Sequence, residues 1–273
     1  MPHANEPGRT VTSRLSELLF AFDSNHTELS LSDLVRRTGL PHATARRLAL
    51  ELTEVGALER GTNNLFCIGL PLWRLGTLAP RAEMLRTAAQ PFVEDLNTAL
   101  RQHVQLAVLQ GDEAVVIERL SGPNAIKLES QIGGFLPLHC SGVGKVLLSH
   151  SSPEYIERIL AGRLRRFTSK TIVDPDLLRK ELAYCRSTGT VAVNEELSDG
   201  ATSVATRIMD RRGVVVAALS VVVSTGSIKL QATLPSLITS GFGISRALGW
   251  KPGVAIRNSS LEPDTARPGR LRT

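Results

Sequence analysis

Two stretches of this chain hold residues whose types and spacing could do chemistry. The first is His42-Ala43-Thr44-Ala45-Arg46-Arg47. On a helix, His42, Ala43, Thr44, Arg46 and Arg47 face outward while Ala45 turns in. Arginine can bond guanine O6 and N7 as a bidentate pair, and threonine or histidine can reach phosphates or base edges. A solvated helix face carries adjacent arginines just as readily, so the reading depends on what holds that helix. The second stretch is His139-Cys140-Ser141-Gly142-Val143-Gly144-Lys145. Glycines opening a helix leave backbone N–H groups uncovered, and these with the helix dipole favour a carboxylate or phosphate. The same glycines would equally serve a packing turn that admits a neighbouring strand, and both readings stand. It is not a P-loop: His139 occupies the place of that motif's first glycine, and Val146 replaces its Ser/Thr.

His139-Cys140 has the residue types of a thiolate activated by imidazole and a helix N-terminus. Adjacent residues of an extended segment point to opposite faces, however, and no Asp or Asn can be assigned to orient the histidine. The expectation is a small buried cysteine and no enzyme activity. Glu195-Glu196 could form an acid pair, although neighbouring carboxylates on a loop are ordinarily solvated. Cys67, Cys140 and Cys185 are odd in number and never in a C-x-x-C pair, which supports neither a disulfide framework nor zinc. Nothing else has metal-ligand spacing, and no cofactor is called for.

The arginine pair has a recognisable support. Residues 29–55 read as a short helix over 31–38, a turn at Gly39, and a second helix restarted by Leu40-Pro41. Ser30 is a good N-cap and Asp33 puts negative charge in the first turn. Gly39 can take the positive φ of a sharp break, and Pro41 sits where no intrahelical donor is needed. Ala45, Leu48, Leu52 and Val55 recur at helical spacing and should face the interior. After Gly56, residues 57–60 and 65–68 read as two strands around a Gly61-Thr62-Asn63-Asn64 turn. A hairpin directly after such a helix is a wing, whose Arg60 and Asn63-Asn64 tip could touch the backbone or minor groove. Val11, Leu15, Leu18, Leu19 and Phe22 predict a first helix starting at residues 10–13, and residues 23–26 break it.

The chain has 273 residues, enough for two domains, and 42% hydrophobic content is ample for packed cores. No apolar run reaches a membrane span, and residues 1–10 lack a signal-peptide core, so cytoplasm is the default. The net charge of +6 invites a nucleic-acid reading, yet residues 1–76 hold eight Arg against eight Asp plus Glu. The excess lies in residues 163–170 and after Trp250. The DNA argument therefore rests on the placement of Arg36, Arg37, Arg46, Arg47 and Arg60, and not on bulk charge.

Past the wing, residues 71–78 and 81–100 read as helices separated by Pro80, the second with Leu85, Ala88, Phe92, Leu96 and Leu100 on one face. A helical connection is semi-rigid and could pass a change of pose between domains. Residues 104–110, 114–120 and 125–130 then read as antiparallel strands. Gly133-Gly134 leads into a small-residue loop, and helices follow at 153–160 and 176–187. Residues 190–194, 203–209 and 214–223 are further strands, and 234–248 a final helix. Strands, helices and strands again indicate an α+β domain around an antiparallel sheet. The divisions are a disordered N-terminus at 1–9, a winged helix-turn-helix at 10–71, linker helices at 72–101, a second domain at 102–250 and a disordered tail at 251–273.

Over residues 10–250 the chain resembles the IclR family of bacterial transcriptional regulators. The resemblance lies in Leu29-Ser30-Leu31-Ser32-Asp33-Leu34, Thr38-Gly39-Leu40-Pro41 with Thr44 and Arg47-Leu48, and Val55-Gly56-Ala57-Leu58-Glu59. It continues in Leu136 through Lys145 and in Val214-Val215-Val216-Ala217-Ala218-Leu219-Ser220-Val221. It implies a GAF-like C-terminal domain that binds a small organic-acid effector, subunits paired into dimers or tetramers, and operator DNA binding that the effector alters. By motif position, Gly142 and Val143 would present N–H groups to an effector carboxylate, with Ser203 and Ser220 as side-chain contacts. The chain departs from the family pattern at three places. Val193 stands where many members carry an acidic residue, Val222 where they carry a second serine, and Phe66-Cys67-Ile68-Gly69 where many read Tyr-Arg-Leu-Gly. The first two make the pocket more apolar and imply a larger, partly apolar or aromatic acid.

Overall fold

The computed structural model describes residues 10–257 except 24–25, 62, 124, 127, 129 and 227–229. The expectations of disorder at 1–9 and, within the tail, at 258–273 lie outside the described residues. The chain forms two compact units, one up to Glu83 and one from Met84, and each is described by itself.

In the first unit the elements are α1 (Val11–Leu19), β1 (Glu28–Leu29), α2 (Leu31–Thr38), α3 (His42–Glu54), β2 (Leu58–Arg60), β3 (Phe66–Ile68) and α4 (Leu70–Gly76). Local chemistry sets the ends of α2. Ser30 Oγ accepts from Asp33 N at 3.1 Å and the Asp33 carboxylate accepts from Ser30 N at 3.1 Å, a reciprocal capping box. Gly39 then turns the chain at φ +66°. Leu18, Leu34, Leu40, Ala45, Leu48, Ala49, Leu58 and Phe66 close one core.

Three expectations for this unit change. Val55 caps α3 and is 72% exposed, because the helix ends before it completes the buried stripe, and Ala49 takes that place. The wing has a third strand: β1 pairs with β3, Glu28 opposite Cys67 and Leu29 opposite Phe66. Two residues are too few to show a period of two, and Leu29 reads equally well as the approach to α2. Arg37, counted among the DNA-facing arginines, is turned inward; Nε donates to Ala21 O at 2.8 Å and Nη2 to Asp23, tying the end of α1 to α2.

The second unit contains α5 (Pro80–Leu100, which begins just before the division), β4 (His103–Gln110), β5 (Glu113–Leu120), β6 (Phe135–Pro137), α6 (Gly142–Ser149), α7 (Pro153–Leu160), α8 (Pro175–Thr188), β7 (Thr190–Asn194), β8 (Ala201–Met209), β9 (Val215–Ser224) and α9 (Leu230–Ala247). The sheet order is β6-β5-β4-β9-β8-β7, antiparallel throughout. Helices cover both faces. One core joins α6, α7 and α8 to Ala107, Ala114, Val116, Ala205 and Ala218, while the other joins α5 and α9 to Leu106, Val204, Ile208, Leu219 and Val221.

A strand expected at 125–130 is not there. Described residues of that stretch are irregular, and the strand that pairs with β5 is β6, which had read as loop. The loop's polar groups bond side chains instead of a ladder: His103 Nε2 donates to Ile126 O, and Gln105 Nε2 to Ser130 Oγ at 2.7 Å. The apolar stripe of α5 holds at Leu85 and Leu96, with Phe92 and Leu100 packed against the same core, and it is broadened by buried Ala89 and Val93, while Ala88 is only half-buried.

One buried histidine sets a pH response. At the end of α6, His150 Nδ1 donates to Val146 O at 2.9 Å and Nε2 accepts from Arg207 at 3.3 Å, so the neutral ring is the one that fits. Burial first, opposed by the Val146 bond and reinforced by Arg207 and Arg186, holds its pKa at about 4, below the ordinary 6.5. Below pH 6.5 the unfolded chain binds a proton here that the fold refuses. Stability is therefore lost as pH falls from 6.5 towards 4, by about 3 kcal/mol at most for this group. Urea unfolding at stepped pH should show that loss, and His150→Asn should flatten it. Equal pH slopes for the two proteins would remove His150 as the cause.

Candidate nucleic-acid interface and effector site

The N-terminal turns of α3 place His42, Ala43, Arg46 and Arg47 in solvent and leave Thr44 half-buried at the edge of the face. Arg46 has no ion pair or hydrogen bond among the described residues. Arg47 Nη1 meets Glu51 Oε1 one turn on, at 2.6 Å. Leu50 is exposed between these positions, a contributor to the face that a search for polar types passed over. On the wing, Arg60 leaves β2 exposed, but its guanidinium lies 4.4 Å over the Phe66 ring and bonds the Asn64 side chain. Asn64, at φ +60°, thus fixes Arg60 at the root of the turn, while Asn63 stands exposed at the tip. His42, Arg46, Arg47, Arg60 and Asn63 are all open to solvent; Thr44 is the least accessible of the set.

In the second unit the glycine turn packs closely, as one of its two readings expects. A Cβ on Gly144 would lie 2.5 Å from Pro137 O and 2.7 Å from Leu138 Cα, and one on Gly142 would lie 2.7 Å from Ser203 Oγ. Backbone contacts thus leave Gly144 no room for a side chain, and Gly142 gains room only if the Ser203 side chain moves. Ser141 Oγ caps α6 by accepting from Gly144 N at 3.1 Å and donates to Pro137 O at 2.6 Å. The amides of Gly142 and Val143, at the dipole's positive end, have no hydrogen-bond partner among the described residues.

Beneath them, the α6 side of the sheet is a lattice of two rows. Val193, Ser203, Val222 and His103 stand side by side across β7, β8, β9 and β4. Ala205, Ser220, Gln105 and Arg119 form the next row across β8, β9, β4 and β5. The hydroxyls of Ser203 and Ser220 make no hydrogen bond among the described residues. Gly142, Val143, Ser203 and Ser220 thus share one side of one sheet. His103, Gln105 and Arg119 join them there, and the sequence singled out none of the three. Their only signal is polar residues at inward positions of otherwise apolar strands.

The alternative chemistry does not assemble. Cys140 is buried, and burial, then the Glu196 charge, pushes its thiol up to about 12, so no thiolate forms near neutrality. His139 donates from Nε2 to Arg165 O at 2.8 Å and is held below its ordinary pKa, chiefly by burial. Glu195-Glu196 is not a solvated pair. The positive φ of +56° at Glu195 divides it, sending Glu195 out to Lys170 and Glu196 inward to Lys145. Lys145 is fully buried, with Nζ 2.5 Å from both Glu181 and Glu196, and cannot serve a phosphate. Among the described residues no group of His, Cys, Asp and Glu could hold a metal, and no helix is long and apolar enough to cross a membrane.

Comparison with known proteins finds two matching domains. Residues 11–61 match the IclR helix-turn-helix domain, and residues 80–240 match the bacterial transcriptional regulator IclR C-terminal domain. An IclR homolog from Microbacterium hydrocarbonoxydans, crystallised with 4-hydroxybenzoate, is 36% identical, with a TM-score of 0.82 over 88% of this chain and 99% of that one. The transcriptional repressor AllR of Salmonella paratyphi A is 32% identical over 83% of this chain and 85% of its own length. The transcriptional repressor IclR of Escherichia coli is 29% identical over 78% and 79%. These relatives regulate transcription and are not enzymes. With a reading helix and wing in one unit and open donors over a sheet face in the other, the chain belongs to the IclR family of bacterial transcriptional regulators, joining a helix-turn-helix domain to a C-terminal effector-binding domain.

Proposed function

We propose that this protein binds operator DNA as a homodimer or homotetramer in the cytoplasm, and that a small organic acid held over the α6 side of the sheet alters that binding. The observation that carries the effector reading is the set of four open groups on one side of the sheet: the amides of Gly142 and Val143 and the hydroxyls of Ser203 and Ser220. A carboxylate placed there would satisfy them, and its own burial would otherwise be costly. Val193 and Val222 flank Ser203 and give the site apolar walls, which favours an aromatic or partly apolar acid over a two-carbon one. The similar protein crystallised with 4-hydroxybenzoate supports that class. Leu70, Trp73, Leu75 and Leu78 expose a run of large apolar side chains along and just beyond α4, in keeping with self-association. Paired subunits would set α3 of each into half-sites about one DNA turn apart.

The test is binding of the purified protein to its own upstream DNA at fixed salt with competitor DNA, repeated across a panel of benzoates and short aliphatic acids. Specific binding that an aromatic acid shifts is the expected result. Binding shifted only by acids the size of glyoxylate would overturn the ligand class. Specific binding that no acid changes would leave a constitutive DNA-binding protein.

A further inference from the structure

The effector site has an end that the four open groups do not use. Along β5, Ala114 and Val116 face the α6 side, and strict alternation would put Glu118 there and Arg119 on the α5 side. The ladder slips instead: Ala107 pairs with Val116 while its neighbour Leu106 pairs with Glu118, leaving Ile117 as the extra residue of a bulge. One inserted residue exchanges the faces of everything after it. Glu118 is thereby sent to the α5 side, where it takes Arg86 at 3.2 Å, and Arg119 is brought to the α6 side beside Gln105. An ion pair that two neighbours could have made is broken up by the backbone.

Arg119 gains no carboxylate in exchange. Arg37, Arg47, Arg86, Arg158, Arg179 and Arg212 each pair with an acid, whereas Arg119 pairs with none among the described residues. Its Nε is buried without a hydrogen-bond partner. Its Nη2 lies 3.5 Å from His103 Nδ1. Because His103 Nε2 faces the carbonyl of Ile126, the ring proton sits on Nε2 and Nδ1 is an acceptor, shared between Ser121 Oγ at 3.1 Å and Arg119. Gln105 is held by Ser130. Among the described residues, this guanidinium has the buried, neutral His103 and Gln105 beside it, which position it and leave its charge uncompensated. A half-buried guanidinium in that state is an anion receptor.

We infer that Arg119, steadied by His103, is a second anion-recognising end of the effector site, so that the ligand is a bifunctional acid with acidic groups at opposite ends. This rests on the effector reading proposed above. The two ends are separated by β9 and β4, three strand spacings from β8 to β5, or roughly 14 Å between backbones. Ser203 and the α6 amides reach in from one side, and the long Arg119 side chain from the other. A ring carrying acidic groups at opposite positions suits the remaining gap, with Val222 and Ser220 beneath it.

The experiment is titration calorimetry of the full-length protein with benzene-1,4-dicarboxylate and with benzoate, on wild type, Arg119→Met and Arg119→Lys, each first shown to unfold cooperatively. In the wild type the diacid should bind roughly 10- to 100-fold more tightly than benzoate, the range for a charged hydrogen-bonded contact. Arg119→Met should remove that advantage, with Arg119→Lys between wild type and Arg119→Met. A diacid no tighter than benzoate in the wild type overturns the inference while benzoate binding keeps the effector reading alive. Equal loss of both acids in Arg119→Met also overturns it, since that marks a structural residue. If the folded wild type binds neither acid nor any member of the panel above, both readings fall together.

Discussion

Lys145→Met is expected to destabilise the effector-binding unit by about 3–5 kcal/mol, the cost of removing one partner from a buried charged cluster. The Lys145 side chain is wholly buried, with Nζ 2.5 Å from Glu181 Oε2 and 2.5 Å from Glu196 Oε1. Methionine matches the aliphatic stem, so packing changes little, but Glu196 is left inside the domain without its cation. Burial already holds the Glu196 carboxyl above its ordinary pKa, against the pull of Lys145. Without the lysine that pKa rises further. An acid whose folded pKa exceeds its unfolded one destabilises the fold at neutral pH and regains stability as pH drops below the folded value. The deficit of the variant should therefore shrink on acidification, and Glu196→Gln in the same background should restore much of it. Urea unfolding of the wild type, the single and the double variant checks this. A loss under about 1 kcal/mol at pH 7 would mean that the cluster is solvated or that its charges already balance.

The second large effect is expected on DNA. Replacing Arg46 and Arg47 together by alanine should weaken specific operator binding by about 100-fold or more, taking 1–3 kcal/mol per base-reading arginine. Stability should hardly move, because both side chains are exposed. Of the single variants, Arg46→Ala should be the more damaging. Arg46 is unengaged among the described residues, whereas Arg47 must first leave Glu51, an exposed pair worth about 0.3–0.5 kcal/mol. Fluorescence anisotropy on operator and on scrambled DNA separates the alternatives. Equal losses on both sequences would assign the arginines to phosphates, and no loss on either would take α3 out of the groove.

What the sequence disclosed follows how local each feature's cause is. The ends of α2 were legible because Ser30, Asp33 and Gly39 act within one turn of the backbone they shape. The glycine turn was legible as a feature and ambiguous in its reason, since the close approach of Ser203 and Pro137 is a contact between distant segments. Gly142, Val143, Ser203 and Ser220 came from motif resemblance, and the sheet register supplies the physical account of why they share one side. Arg119 was hidden for a different cause. Period-two reading assigns Arg119 to the wrong face, because a single bulge at Ile117 re-phases the strand and leaves no mark in composition. Arg37 misled in the opposite direction, since an arginine that binds the carbonyl of Ala21 has the same letter as one that reads DNA.

The packing of Gly142 and Gly144 also bears on how such a domain can change its taste over evolution or in the hands of an engineer. On the helix side of the site the acid would be greeted by peptide N–H groups, which no side-chain substitution deletes, and Gly144, pressed against the backbone of Pro137 and Leu138, has no space to vary. On the strand side every proposed contact is a replaceable side chain: Val193, Ser203, Ser220, Val222 and Arg119. General affinity for acids would thus be inherited with the backbone, while selectivity among them would be free to drift strand by strand. A library aimed at retuning this protein as a biosensor belongs on those strands and should leave residues 141–145 untouched.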